Sequence, residues 1–391
     1  MVGQPGKRSH AGSIGNVRDY IDLPFVHNTW YVAGLCEEFG RTPKARTLLQ
    51  KSVVFFRTEA GDLTALQNRC LHRSFPLAEG YLEGDLLVCG YHGMRYDADG
   101  AIVRIPCQSQ LPDRKLRKFP VRELGPFVWI WMGDADHPEM EERFPDLSFL
   151  ADPAFRTVHD ATPIKCSYLL MLENLNDLTH FAYLHRETFG IDDYFLELEA
   201  EAKRTPQGVS CRHVDTDPVR SMAGLPGPLQ ERLRGKQAER WDHSLMPAPG
   251  ICIGHNPILA GEIGAQEREA LEQFRITARP SDDQGIFDRY IMHFLTPETK
   301  STTHYFWSIS SNFGLDDDAY NAGLKALAGK GFDEDKWACE HMQTLLENDA
   351  IEFDELTIAG DRGGMLFRRA MRDWVNQEYE AAAAQRESVD A

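Results

Sequence analysis

The 391-residue sequence has no apolar run near the roughly 20 residues that a membrane-crossing helix needs, so no membrane partner is expected. Basic residues are in deficit. Only 42 Lys and Arg stand against 60 Asp and Glu, and a net charge of −18 is the wrong sign for gripping phosphates, so nucleic acid is not an expected partner either. The opening MVGQPGKRSHAGSIGNV lacks the apolar core of a secretory signal, which predicts a reducing cytoplasm and no disulfides. No GxGxxG fingerprint is present, so the chain is not expected to take hydride from a nicotinamide itself. No internal repeat is visible.

What is present predicts two cores: 42% apolar residues and 10% aromatics over a long chain. Charge divides in the same way. Residues 1–150 carry 18 Lys and Arg against 19 Asp and Glu, whereas residues 151–391 carry 24 against 41. After a flexible extension over 1–24, short runs such as TWYVAG, KSVVFFRT, DLLVCG and PFVWIWMG predict a small all-β domain over 25–140. Its strands close near Gly133, and the acidic, Pro-punctuated DADHPEMEERFPDLS reads as a linker. Over 141–375, strand-like runs (GICIGHN, FDRYIMHFLT, HYFWSIS) mix with helical ones (SYLLMLENLNDLTHFAYLH, DEDKWACEHMQTLLENDAIEF, MLFRRAMRDWVNQEYEAAAA), the pattern of an α+β domain. Residues 376–391 read as a C-terminal tail, the fraying end of an alanine-rich helix.

Of eight cysteines, Cys36, Cys107, Cys166, Cys211, Cys252 and Cys339 stand alone and read as small buried hydrophobes. Cys70 and Cys89 differ. The segment NRCLHRSFPLAEGYLEGDLLVCGYHGMRYD delivers Cys70 and His72 as CxH, then sixteen residues, then Cys89 and His92 as CxxH. Such knuckles hold either one zinc ion or a [2Fe–2S] cluster with two Cys on one iron and two His on the other. Zinc knuckles usually pair two Cys, whereas each knuckle here is mixed. Gly90 and Gly93 let the second loop turn tightly.

This segment resembles the Rieske signature, and its continuation into YHGMRYDADG with the later PVRELGPFVWIWMG resembles the Rieske domain of ring-hydroxylating and demethylating oxygenases. The resemblance implies that Cys70 and Cys89 bind one iron and His72 and His92 the other. It also implies the architecture: an N-terminal all-β Rieske [2Fe–2S] domain, then a larger α+β catalytic domain of helix-grip form on an antiparallel sheet.

The segment ENLNDLTHFAYLH places Asp177, His180 and His185 in one predicted helix. Asp177 and His180, three apart, adjoin on one face. His180 and His185 do not. Five steps of about 100° leave them roughly 140° apart, so both reach one metal only if the helix ends, bends or takes a π-type turn between them. The segment is similar to the NxxDxxHxxxxH motif of the same oxygenases, which implies that His180 and His185 bind a mononuclear iron with one carboxylate, leaving positions open for O2. The run FDEDKWACEHMQ, taken to open a helix, is similar to the carboxylate-bearing segment of the vanillate-demethylase and dicamba-monooxygenase branch, which puts the third ligand at Asp335. Asp333 and Glu334 are the alternatives, otherwise read as helix N-terminal charge. Asp177 would orient a ligand imidazole, and the resemblance implies that it bridges His180 to His92 of the partner subunit in a head-to-tail trimer. Asn174 lines the iron pocket or bonds backbone.

The run LTPETKSTTHYFWSISSNFGLDDD resembles the demethylase branch, which implies monooxygenation and dealkylation of a small aromatic substrate with O2. His293 matches a substrate-facing position there; the alternative is a core histidine. The segment 241–262 departs from its relatives and leaves the substrate unassigned. Electrons would come from NAD(P)H through a ferredoxin or reductase, for which Arg114, Lys115, Arg117, Lys118 and Arg122 offer a docking patch or an ordinary solvated face. Other readings are a cis-dihydroxylating dioxygenase, a pure electron carrier, and a zinc-stapled, non-enzymatic interaction protein.

Overall fold

The structure, a computed structural model, describes residues 17–389 except 191–195, 197–200, 207, 218–226, 237, 261–267, 270–272, 274–285 and 349–354. The N-terminal domain is built from β1 (Trp30–Leu35), β2 (Lys44–Leu48), β3 (Lys51–Arg57), β4 (Leu63–Gln67), β5 (Tyr81–Glu83), β6 (Leu86–Val88), β7 (Arg95–Tyr96), β8 (Ile102–Arg104), β9 (Val121–Leu124) and β10 (Phe127–Trp131). They form three small sheets, in the orders β1-β10-β9, β2-β3-β4 and β5-β6-β7-β8. The apolar run FVWIW is β10, which is covered on both faces. Phe127, Trp129 and Trp131 enter one core while Val128 and Ile130 enter another, so no polar alternation is needed.

The second domain holds β11 (Arg156–Ile164), β12 (Glu201–Thr205), β13 (Gly208–Asp215), β14 (Ala238–Ala248), β15 (Ile251–His255), β16 (Ile258–Ala260), β17 (Ile286–Phe287), β18 (Arg289–Pro297) and β19 (Thr303–Ser311). These make one antiparallel sheet, with the main path β11-β19-β18-β15-β14-β13-β12. Alternation along β18 sorts its side chains. Tyr290, Met292 and Phe294 join the core shared with β10, whereas Arg289, Ile291 and His293 line a cavity on the opposite face. Helices α1 (Val17–Ile21), α2 (Tyr168–Asn176), α3 (Arg186–Phe189), α4 (Gly227–Leu233), α5 (Asp318–Asn348) and α6 (Arg362–Val389) complete the chain. Helices α2 and α5 lie over the cavity side, and α6 packs on β12 and β13.

Four expectations are corrected. Residues 17–23 of the supposedly flexible extension are packed: Tyr20 is buried, its hydroxyl donates to the Leu169 carbonyl at 3.4 Å, and its ring meets Phe367. The linker is pinned, because Trp30 Nε1 donates to the Met140 carbonyl at 2.8 Å and Phe144 packs edge-on against Trp30 and Trp129. No break marks residue 376, since α6 runs through it and Glu378 accepts hydrogen bonds from the backbone N–H groups of His27 and Asn28. Of the lone cysteines, Cys107 is exposed and Cys36 half-buried; the other four are buried as expected, and all eight are free thiols.

Candidate metal centres

Two loops of the first domain share one hydrogen-bond pattern. In the first, Cys70 N donates to Phe75 O at 2.9 Å and Ser74 N to Cys70 O at 3.0 Å; in the second, Cys89 N donates to Met94 O at 2.8 Å and Gly93 N to Cys89 O at 3.0 Å. Each chain reverses at a left-handed residue, Ser74 (φ 59°) or Gly93 (φ 70°), so glycine is required only in part. The loops bring like ligands together. His72 Nδ1 and His92 Nδ1 lie 3.2 Å apart on exposed rings, while Cys70 and Cys89 are buried, near enough that Cys70 helps to raise the Cys89 pKa.

A single tetrahedral zinc would gather all four donors within about 4 Å of one another. They do not gather: among the described residues, His180, His185 and Asp335 form the one group of three or more metal-capable atoms that close together. A sulfur pair and a nitrogen pair held apart fit the two irons of a [2Fe–2S] cluster. Burial raises the Cys89 pKa, and the N–H groups of Tyr91 and His92 oppose that rise, as donors to a thiolate do. Sequence reasoning missed Tyr96. Its hydroxyl lies 3.2 Å from Cys70 Sγ, also accepts from Leu71 N at 3.0 Å, and is kept protonated by burial, so it donates to the sulfur. The RYD that follows the second knuckle was its only trace.

The predicted helix over 173–185 is broken, which is how its two histidines meet. Ser167 caps the start of α2, and at Asp177 the backbone turns extended (φ −97°, ψ 101°). The Asp177 carboxylate accepts from Thr179 N at 2.8 Å and Thr179 Oγ1 at 2.6 Å, which starts a short 3₁₀ turn over Leu178–Ala182. His185 then stands at the start of α3. His180 Nε2 and His185 Nε2 are 3.1 Å apart, and Asp335 Oδ1 lies 3.3 and 3.1 Å from them. Three donors so spaced can share one ion at about 2.1 Å, the arrangement of a two-His, one-carboxylate iron site. Burial pushes the Asp335 carboxyl up, but the two imidazoles outweigh it and hold the group well below the usual carboxylate range. It is ready as an anionic ligand.

Asp335 lies deep inside α5, which starts at Asp318 rather than near 333, so the helix N-terminal reading of Asp333 and Glu334 fails. Gly323, Gly329 and Gly331 had masked the earlier turns, because glycine is a poor helix former. Glu334, one residue round the helix, faces the far nitrogen of His185: its Oε2 is 2.8 Å from Nδ1, and Thr188 Oγ1 holds its other oxygen. That bond fixes the ring with Nε2 toward the ligand set. Asn174 neither lines the cavity nor bonds backbone through its amide; Nδ2 donates to Asp335 Oδ1 at 2.7 Å and fixes the third ligand. Asp177 makes no bond to His180 within the chain, and His180 Nδ1 is buried without a partner.

His185 and Asp335 of the ligand triad line a cavity of about 290 Å³. Its roof is Leu324, Leu327, Ala328 and Phe332 of α5, and Phe181 and Phe189 close one side. His293 is buried in its floor, and burial lowers its pKa to about 4, so it is neutral at pH 7. Its Nδ1 lies 2.6 Å from the Tyr305 hydroxyl, whose pKa burial raises far above 10. With no other acceptor among the described residues, the protonated Tyr305 donates to Nδ1, which leaves the His293 proton on Nε2. Of the basic patch, Lys118 pairs with Asp99, Arg122 with Glu141, and Arg117 donates to the Met132 and Gly133 carbonyls. Arg114 and Lys115 make no ion pair among the described residues.

Comparison with known proteins matches two parts of the chain to two families. Residues 29–120 match the Rieske [2Fe-2S] domain, and residues 164–377 match the vanillate O-demethylase oxygenase C-terminal domain. The chain is 32% identical to the dicamba O-demethylase oxygenase component of Stenotrophomonas maltophilia, over 82% of this chain and 89% of that protein. It is 30% identical to an iron-sulfur subunit of the toluene-4-sulfonate monooxygenase system of Comamonas testosteroni, over 87% of this chain and 94% of that one. The fold matches a crystal structure of dicamba monooxygenase bound to dicamba with a TM-score of 0.74 at 27% identity, covering 91% of this chain and 99% of the other. With both domains matched, the chain belongs to the Rieske oxygenases that carry the vanillate O-demethylase type of C-terminal domain.

Proposed function

We propose that this chain is the terminal oxygenase component of a multicomponent monooxygenase that oxidatively dealkylates an aromatic substrate. The observation that carries the reading is the ligand triad set at the edge of a mostly apolar cavity, on a chain whose other domain pairs two thiols and two imidazoles. His180, His185 and Asp335 would hold an iron that supplies O2 activation, and the Cys70, His72, Cys89 and His92 loops would hold a cluster that passes on electrons from a ferredoxin or NAD(P)H-dependent reductase. One oxygen atom would enter an alkyl C–H bond, and the other, with two electrons from the donor and two protons, would leave as water. The resulting hemiacetal or hemiaminal would then collapse to an aldehyde and the freed phenol or amine.

This chain's residues do the rest. Asn174 and Glu334 hold Asp335 and His185 in place, Phe181, Phe189 and Phe332 keep water from the reacting carbon, and His293 Nε2–H offers a neutral donor to a polar substituent. Within one chain, no hydrogen bond joins the two ligand sets among the described residues. In a head-to-tail trimer, the Asp177 oxygen not used by Thr179 would take His180 Nδ1–H on one side and His92 of the partner subunit on the other. A reducing cytoplasm suits Cys70 and Cys89 as thiolates.

Product analysis tests the reading. Methoxylated and N-alkylated aromatics supplied with a surrogate ferredoxin and reductase should release formaldehyde or another aldehyde; a cis-diol as the main product would overturn it.

A further inference from the structure

The short link between β11 and α2 is held by side chains from α5. Lys165 N donates to Glu340 Oε1 at 2.8 Å and Ser167 N to Gln343 Oε1 at 2.9 Å, so the backbone on either side of Cys166 is fastened to one turn of that helix. The Cys166 carbonyl is fixed as well, accepting from Thr303 Oγ1 on β19 at 2.7 Å. Cys339 stands at the start of the same α5 turn. Both thiols are fully enclosed in one apolar core, and Cys166 lies near enough to be the largest cause raising the Cys339 pKa, ahead of burial. Two cysteines far apart in sequence thus meet where the backbone is anchored.

The pair lies behind the ligand triad. Ser167 caps α2, which carries Asn174, while Cys339 follows Asp335 by one turn on the same face of α5, and Asn174 bonds Asp335 between the two helices. A covalent link at Cys166 and Cys339 would tie α2 to α5 at the next turn along.

We infer that Cys166 and Cys339 are a peroxide-closed disulfide site, a clamp between the two helices that flank the candidate iron ligands. The inference concerns the proposed iron site, but formation of the bond does not depend on the oxygenase reading. Hydrogen peroxide is the oxidant. One thiol sulfur takes an oxygen as the O–O bond breaks, which gives a sulfenic acid and water; the second thiol attacks that sulfur, the S–S bond forms and a second water leaves. Each sulfur gives up one electron, peroxide takes two, and both thiol protons end in water. Cys339 is held as the protonated thiol, so closure answers sustained rather than brief exposure. In a reducing compartment such a bond is a response to oxidant, not a standing part of the fold.

The test exposes the holoprotein, with its cluster and iron, to hydrogen peroxide, then alkylates it in denaturant and digests it without reductant for mass spectrometry. A peptide pair linked through Cys166 and Cys339 should appear after exposure and be absent before it. Treatment should raise the melting temperature of the wild type by about 3–10 °C relative to its effect on Cys166→Ala and Cys339→Ala, neither of which can close the bond. The exposed Cys107 reports that the oxidant has acted. Oxidised Cys107 with no linked pair would overturn the site, and a linked pair with no such gain in melting temperature would overturn the clamp. Formaldehyde from methoxylated aromatics is scored on untreated protein. Its absence would refute the dealkylase reading and leave the clamp standing.

Discussion

At the residue scale, the candidate iron ligands lean on side chains that would not touch the metal: Glu334 reaches the far nitrogen of His185, and Asn174 crosses from α2 to Asp335 on α5. Cys70, His72, Cys89 and His92 stand out by spacing, and His180 and His185 by motif, whereas no spacing records these two bonds. Outer partners of this kind set metal affinity. Asn174→Ala and Glu334→Gln should each weaken iron retention about 10- to 100-fold, read as iron content after dialysis against a chelator, with the cluster's visible absorption unchanged. Iron retained at wild-type strength would show that these bonds are incidental. A titration follows from His27, whose Nδ1 faces Lys51 Nζ at 3.4 Å; burial first, then Lys51 and Arg117, lower its pKa to about 4. The folded pKa lies below the unfolded value near 6.5, so stability is full above pH 6.5 and falls as the pH drops toward 4. Between pH 7 and 5 the loss should be about 1–2 kcal/mol for this group, and His27→Gln should flatten that part of the Tm profile. An unchanged profile in the variant would assign the slope elsewhere.

At the element scale, strands were easier to read than helix ends. The runs around β1, β3, β10, β15 and β19 fell where apolar residues cluster between turn formers. The helix bearing His180 and His185 was drawn too long because its apolar pattern continues across Asp177, where a side-chain cap, not hydrophobicity, ends it. Helix α5 was drawn too short because its glycines imitate a loop. Those glycines are not equivalent. A Cβ at Gly323 meets nothing within 4 Å, whereas one at Gly331 meets the Phe189 ring at 2.4 Å. Gly323→Ala should therefore stabilise the protein by up to about 1 kcal/mol. Gly331→Ala should destabilise it by about 1–3 kcal/mol, because the Phe189 ring is packed against Phe181 and His185 and must move. Thermal melts of the two variants check this directly; equal shifts of the same sign would contradict the packing account.

At the scale of the whole molecule, composition foresaw two cores but not how they join. Strand β10 is shared between them, Thr296 Oγ1 donates to the Val32 carbonyl at 2.7 Å, and Glu378 ties the far end of α6 to the entry of the first domain. Such contacts join residues hundreds of positions apart and leave no local pattern in the sequence. The acidic half of the chain is the catalytic one, yet its cavity is lined by Arg240 and Arg289 as well as Asp242 and Asp335, so net charge says little about what a buried site accepts. The central claim, that electrons gathered at the paired Cys and His loops serve chemistry at His180, His185 and Asp335, is tested most directly by one comparison. Wild type and His180→Ala are reduced through the same surrogate donor with a methoxylated aromatic acid, and the cluster's electron paramagnetic resonance signal and formaldehyde are both recorded. The account predicts a rhombic cluster signal in both proteins and formaldehyde from the wild type alone. Formaldehyde from His180→Ala at the wild-type rate, or a wild type with no cluster signal, would contradict it.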